Sequence, residues 1–159
     1  MEDVLENNSE VDQLSDKDIF TKIWTSPRQV FKFINDNSYN KYVTVLLILS
    51  GISRSFDQAS LKNLGDSMSL WEILAISIIG GGLLGWISFY IYASLISWTG
   101  KWLDGQGNTN SIFRMLAFSM LPSIIALVLL IPQILIYGIE IFKSEGNLID
   151  ADWLSNVFF

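Results

Sequence analysis

The chain has 159 residues, of which 50% are hydrophobic and 16% are charged, and its formal net charge is −6. Because ordinary soluble domains carry about a quarter charged residues, this composition indicates a membrane protein. The sequence contains neither cysteine nor histidine, which excludes disulfides, thiol catalysis and the most common metal ligand and general base.

The first 38 residues are predicted to stay outside the membrane interior. Residues 1–14 form an acidic tail that we expect to be disordered, because few of its side chains are large and apolar. The tail lacks the basic and apolar regions of a signal peptide, so insertion is expected to depend on internal segments. Residues 15–38 are predicted to form two short amphipathic helices at the membrane interface, hinged near Thr25–Ser26. Packing on a soluble domain is the alternative.

Two serines are well placed to begin these helices. Ser15 precedes Asp18 at the spacing of a capping box, in which each side chain bonds the other residue's N–H group. Ser26 is followed by Pro27, which fits the first helical position, and by Gln29, which can reach back. The pattern therefore predicts a side-chain cap at both serines.

The transmembrane domain is predicted to cover residues 39–142, and its first span is the shortest. Residues 39–56 would form a helix of about 27 Å, just long enough to cross the hydrocarbon core. Lys41 and Arg54 would then extend to opposite faces of the bilayer. A re-entrant or interfacial segment is the alternative. Residues 57–70 are predicted to be a polar connector.

The second predicted span covers residues 71–98 and contains no charged residue after Glu72. A helix of this length rises about 42 Å, so it is expected to tilt, bend or project from the roughly 30 Å core. Trp71 and Trp98 mark its ends, as in an aromatic belt. Glycines within it permit close helix approach, and the helix-packing candidates are Gly80, Gly81, Gly82 and Gly85. Packing within the chain is preferred to a dimer face.

The third predicted span covers residues 113–139 and contains two prolines, Pro122 and Pro132. Each proline removes a backbone hydrogen bond, so both are kink candidates. Other helices, or the hydroxyls of Ser119 and Ser123, must then satisfy the carbonyl groups that are freed. A break at Pro122 that lines a cavity is the alternative to a purely structural kink.

The distribution of basic residues predicts a cytoplasmic N-terminus. The regions that flank the spans on the side of the N-terminus hold six Lys and Arg, against three on the opposite side. Cytoplasmic loops carry the excess of these residues. No basic cluster suits nucleic acid, so nucleic acid is not an expected partner.

Three features in a fixed order resemble a known family. Residues 24–31 read Trp-Thr-Ser-Pro-Arg-x-x-Phe, and a glycine-rich span follows. Residues 107–122 then combine a Gly-Asn-Thr-Asn-Ser-x-Phe-Arg loop with Ser-Met-Leu-Pro. Over residues 20–140, this order resembles bacterial members of the Yip (Ypt-interacting protein) family of membrane proteins.

The resemblance implies an all-α transmembrane bundle in the bacterial inner membrane, with a cytoplasmic N-terminus. Eukaryotic members of the family act in vesicle trafficking and contact small GTPases. The family usually has five spans, whereas this sequence has room for three, so a shortened form or completion by a partner is expected. Residues 143–159 form a polar connector and an apolar stub, read as an interfacial anchor or the start of a further span.

The combined prediction is an all-α polytopic helical bundle that acts as a membrane scaffold or interaction protein without catalysis. Its expected partners are the lipid bilayer and other membrane proteins or a second copy. No catalytic, cofactor-binding or metal-binding residue is predicted, because no span contains a carboxylate pair. A component of a small-solute transporter or channel is the alternative.

Ionisable residues near the span ends are expected to snorkel, that is, to extend their charged groups to the membrane–water interface: Glu72, Arg114 and Glu140. Gln133 is the only strongly polar amide within the second and third predicted spans.

Overall fold

A computed structural model describes residues 14–105 and 107–145. The predicted tail lies outside these residues except for Leu14. Gln106, most of the predicted polar connector at 143–152 and the predicted stub at 153–159 also lie outside them. The helices are α1 (Asp16–Thr25), α2 (Pro27–Asp36), α3 (Val43–Leu61), α4 (Leu70–Ala75), α5 (Gly81–Lys101), α6 (Thr109–Ser119) and α7 (Leu121–Tyr137). Three shorter turns are the 3-10 turns Leu64–Asp66 and Gly138–Phe142 and the π-helical turn Ile76–Gly80. No strand occurs in the described ranges, which confirms the all-α prediction.

Two helical stretches are long and apolar enough to cross a membrane. They are Leu70–Lys101, with 32 residues, and Thr109–Phe142, with 34 residues. Full helices of these lengths would rise about 48 and 51 Å, well beyond the roughly 30 Å core. They correspond to the second and third predicted spans. The first predicted span, 39–56, overlaps α3, which starts at Val43, and its crossing of the membrane stays a prediction.

The capping prediction for the first two helices is half right. Ser15 and Asp18 form the expected box, with Asp18 N–H to Ser15 Oγ at 3.3 Å and Ser15 N–H to Asp18 Oδ2 at 3.0 Å. At Ser26 the predicted side-chain cap is wrong, although Pro27 does begin α2. Ser26 also ends α1, and its N–H bonds Lys22 O at 2.6 Å. Because Ser26 belongs to the end of α1 as well as to the start of α2, its backbone has a ψ of 59°. Ser15, which does form a side-chain cap, has the extended ψ of 163°.

The chain forms two compact units. The first comprises Met1–Thr44 and Tyr90–Ser119. Within its described part, α2 packs against both α1 and α6. Buried apolar residues of the three helices form its core: Ile19 of α1, Val30, Phe33 and Ile34 of α2, and Ala117 and Phe118 of α6. On α2 they follow the i, i+3, i+4 spacing of one helix face.

The second unit comprises Val45–Phe89 and Met120–Phe159. Its described core contains Phe56, Ala59, Ile73 and Phe142. The turn Gly138–Phe142 packs against the turn Leu64–Asp66, and Ser60 Oγ donates to Ile141 O at 3.0 Å. The predicted polar connector at 57–70 is partly helical, because α3 continues to Leu61.

Candidate functional site

The glycine-rich span makes its closest approach to α3, at Gly51. A Cβ atom on Gly85 would lie 2.5 Å from Gly51 Cα, and one on Gly81 would lie 2.7 Å from Gly51 O. Real Cβ atoms essentially never approach backbone atoms this closely. Gly81 and Gly85 are thus one turn apart on a face where the helix backbones touch within the second unit.

The other two helix-packing candidates have different surroundings. Gly82 faces side chains, and a Cβ there would lie 3.6 Å from Ile48 Cγ2, an ordinary contact. Gly80 ends the π-helical turn, and the nearest atom to its Cβ position is Ile76 Cγ2 at 4.0 Å. The close approach therefore depends on Gly81 and Gly85, with Gly51 as the residue that the sequence did not identify.

The two prolines occupy different positions in their helices. The helical path breaks at Met120, which ends one helix and caps the next, so Pro122 lies in the first turn of α7. A proline there removes no bond that the helix would otherwise have. Pro132 lies inside α7. Ser119 Oγ donates to Leu116 O at 2.8 Å. The carbonyl four residues before Pro122 belongs to Phe118, so the predicted role of the serine hydroxyls stays a prediction.

The outward face of α7 carries an amide. No residue of the most apolar 18-residue stretch within Thr109–Phe142 is fully buried, whereas 22% of the corresponding stretch of Leu70–Lys101 is. Gln133 is exposed on α7, and Leu129 and Ile136 beside it are 58% and 56% exposed. In a membrane, this face meets lipid or another helix.

Gln133 also borders a groove of about 230 Å³ in the second unit. The polar part of its lining consists of Gln133 and two residues of α3, Ser53 and Asp57. Ser53 Oγ donates to Ser123 O at 2.9 Å, so its hydrogen is already used. Among the described residues, no three acidic side chains converge as a metal site would require.

Arg114 departs from the expectation that it snorkels. It lies on the same face of α6 as Ala117 and Phe118, and it is only 8% exposed. Its Nη2 donates to Ser111 Oγ at 3.1 Å, and its Nε has no acceptor within residues 14–105 and 107–145. The structure therefore buries this charge within the protein.

Asp16 links α1 to the segment before α3. Its carboxylate accepts hydrogen bonds from the hydroxyls of Tyr39 at 2.6 Å and Tyr42 at 3.0 Å, and it forms an ion pair with Lys41. The hydrogen bond from Lys41, followed by those from the two tyrosines, lowers the pKa of Asp16 from 3.8 to about 2. The ionised carboxylate is therefore the form that holds α1 in place.

Acidification is expected to loosen α1. A lowered pKa in the folded state means that this stabilisation is present above pH 3.8 and is lost as the pH falls through about 2. Asp16→Asn should therefore speed amide hydrogen exchange in α1 at pH 5 and make little difference at pH 2. Asp36→Asn, at the exposed end of α2, is the control. Equal effects of the two substitutions at pH 5 would contradict the prediction.

Comparison with known proteins identifies the family. The family model described as the Yip1 domain matches residues 21–158. No curated protein and no solved structure matches the chain. The match covers most of the sequence, including both helices that are long enough to span a membrane. The chain therefore belongs to the Yip1 domain family and is a membrane protein.

Proposed function

We propose that this protein is a non-enzymatic membrane scaffold or interaction protein of the Yip type. Its outward α7 face binds a transmembrane helix of another membrane protein or of a second copy. The proposal places it in the bacterial inner membrane with a cytoplasmic N-terminus, as the excess of basic residues on that side favours.

The observation that carries this proposal is the exposed amide of Gln133 on a helix whose most apolar stretch has no fully buried residue. Lipid offers an amide no hydrogen-bond partner, so a polar side chain on this face favours contact with another helix. The apolar side chains around it, such as Leu129, supply packing area but no such preference. Gln133 therefore marks the centre of the proposed contact.

Gln133→Leu should weaken helix association in the membrane. Interhelical hydrogen bonds in lipid contribute about 1 kcal/mol, which corresponds to roughly fivefold in affinity. Energy transfer between labelled full-length copies in liposomes measures self-association as the lipid-to-protein ratio is varied. Co-purification from native membranes measures a stoichiometric membrane partner. Gln133→Asn should restore part of the affinity, and Gln58→Leu, the same change at an exposed position of α3, should leave it unchanged.

Transport of a small solute is the second candidate, and the groove beside Gln133 is the observation that favours it. A carboxylate and an amide in one groove, Asp57 and Gln133, could bind a small cation. Sodium and potassium flux in liposomes decides between the candidates. A flux abolished by Gln133→Leu or Pro122→Ala, without any measurable association, would show that the scaffold proposal is wrong.

A further inference from the structure

The guanidinium of Arg114 has fewer partners than its burial demands. The residue is 8% exposed, and Ser111 Oγ accepts its only hydrogen bond within the described ranges. Neither ion pair in those ranges includes it. A buried charge is strongly unfavourable unless it is paired and hydrogen-bonded. The site therefore has an unmet need for an anion.

The position of Arg114 indicates which end of the helix an anion would occupy. Long side chains on a helix point back toward its N-terminus, and the bond to Ser111 places the guanidinium beside the first turn of α6. The N-terminus of a helix carries a partial positive charge and favours anions. Asn108 Oδ1 already accepts from Ser111 N–H at 2.8 Å, so an anion would meet the side chains of this end rather than that N–H group. Asn108 and Asn110 are exposed, so a ligand can approach.

The chemistry of the two side chains favours phosphate. A guanidinium presents a planar fork of N–H groups that matches two oxygens of a phosphate. Ser111 Oγ accepts from Arg114 and retains its own hydrogen, which can be donated to a third oxygen. Arg114 lies one to two turns into the helical stretch Thr109–Phe142, so it sits near the end of a membrane span, where lipid head groups lie.

We propose that Arg114 and Ser111 form a phosphate-binding site at the N-terminal end of α6. The phosphate is supplied by a phospholipid head group or by free phosphate. The site does not depend on the association proposed for α7, since it uses residues of another helix.

Thermal unfolding of the full-length protein in an uncharged, phosphate-free detergent tests this site. Three additions are compared: phosphatidylglycerol, the uncharged digalactosyl diacylglycerol, and inorganic phosphate at constant ionic strength. Phosphatidylglycerol should raise the midpoint of unfolding, and the galactolipid should not. A shift with inorganic phosphate as well identifies free phosphate as a sufficient source, whereas a shift with the phospholipid alone identifies the head group.

Variants separate a binding role from a structural one. Arg114→Gln should lower the affinity for phosphate, read from the phosphate-dependent rise in the midpoint of unfolding, at least about tenfold. The reason is that the hydrogen bonds from the charged guanidinium to the phosphate are lost. It should not destabilise the protein in phosphate-free detergent, because it removes an unpaired buried charge. Arg114→Lys keeps the charge but loses the fork, so it should bind severalfold more weakly and serves if Arg114→Gln does not fold.

Lys101→Gln is the matched control, because it removes one exposed positive charge at the end of α5. It should keep the full stabilisation by phosphatidylglycerol. The proposal is overturned by equal stabilisation with the galactolipid, by undiminished phosphate binding in both Arg114 variants, or by an equal loss in Lys101→Gln.

Discussion

Gly51→Ala is expected to destabilise the protein by about 3 kcal/mol. This value is at the upper end of the usual cost of adding a carbon atom where the structure is already tightly packed. The added Cβ would lie 2.7 Å from Gly85 Cα, which is a backbone atom and cannot rotate away. The two helices must separate to admit it, and the contacts beside Gly81 are then lost. The same reasoning predicts a large effect of Gly85→Ala, whose Cβ would lie 2.5 Å from Gly51 Cα.

Gly80→Ala provides the matched control for this prediction. It is the same substitution in the same glycine-rich segment, but its Cβ would meet nothing closer than Ile76 Cγ2 at 4.0 Å. Because alanine favours a helix over glycine by about 0.5–1 kcal/mol, Gly80→Ala should be neutral or stabilising. Unfolding by sodium dodecyl sulfate in mixed micelles measures both. Similar midpoints for Gly51→Ala and Gly80→Ala would contradict the close approach.

Substitutions at the glycine contact also distinguish packing within the chain from a dimer face. If Gly81 and Gly85 contacted a second copy instead of Gly51, their substitution would reduce association and leave the stability of the monomer unchanged. A loss of monomer stability with unchanged association is the result that we expect.

The glycine spacing illustrates what the sequence can and cannot predict. Gly81 and Gly85 are one turn apart in a charge-free run, and this spacing by itself is enough to mark a packing face. Gly51 is a single glycine in an apolar segment, without such a repeat. Which residue faces Gly81 is decided by the packing of α3, and no local pattern encodes it.

The prolines show the same limit in a local form. Both were predicted as kinks, since a proline within a helix clashes with the carbonyl four residues earlier. For Pro122 the chain avoids this clash by ending a helix at Ser119 and starting another at Leu121. Pro132 stays inside α7. The sequence identifies where the helical hydrogen bonds must change, but it does not say whether the helix bends or restarts.

The burial of Arg114 differs from the sequence prediction for another reason. The side chain of a single arginine near the end of an apolar run ordinarily extends to the membrane–water interface, and nothing in the local sequence indicates that Arg114 is buried instead. Its burial results from its position on the face of α6 that carries Ala117 and Phe118. That face is covered by tertiary packing, including that of α2, which brings together residues far apart in the sequence.

Phe142→Ala is expected to have the other large effect, a loss of about 3 kcal/mol in the stability of the second unit. The ring is fully buried, and its centroid lies 6.2 Å from that of Phe56. Gly65 approaches its backbone so closely that a Cβ there would lie 2.9 Å from Phe142 C. Since the surrounding backbone is held at such short range, it cannot collapse into the space that the ring leaves.

Two further contacts make the effect local as well as global. Ser144 N–H donates to Asp66 Oδ1 at 3.2 Å, and Ser60 Oγ donates to Ile141 O, so polar contacts hold the backbone on both sides of Phe142. Loss of the ring should therefore speed hydrogen exchange at the Ser144 amide before the whole unit unfolds.

Leu135→Ala is the control, because it also shortens a large apolar side chain but at a position that is 81% exposed. It should change the stability by less than about 0.5 kcal/mol. Phe142→Leu, which keeps most of the volume, should cost about 1 kcal/mol. Detergent unfolding with hydrogen exchange read at Ser144 measures all three variants. If Phe142→Ala and Leu135→Ala behaved alike, the turn Gly138–Phe142 would not pack against Leu64–Asp66, and the end of the third predicted span would lie free of the connector.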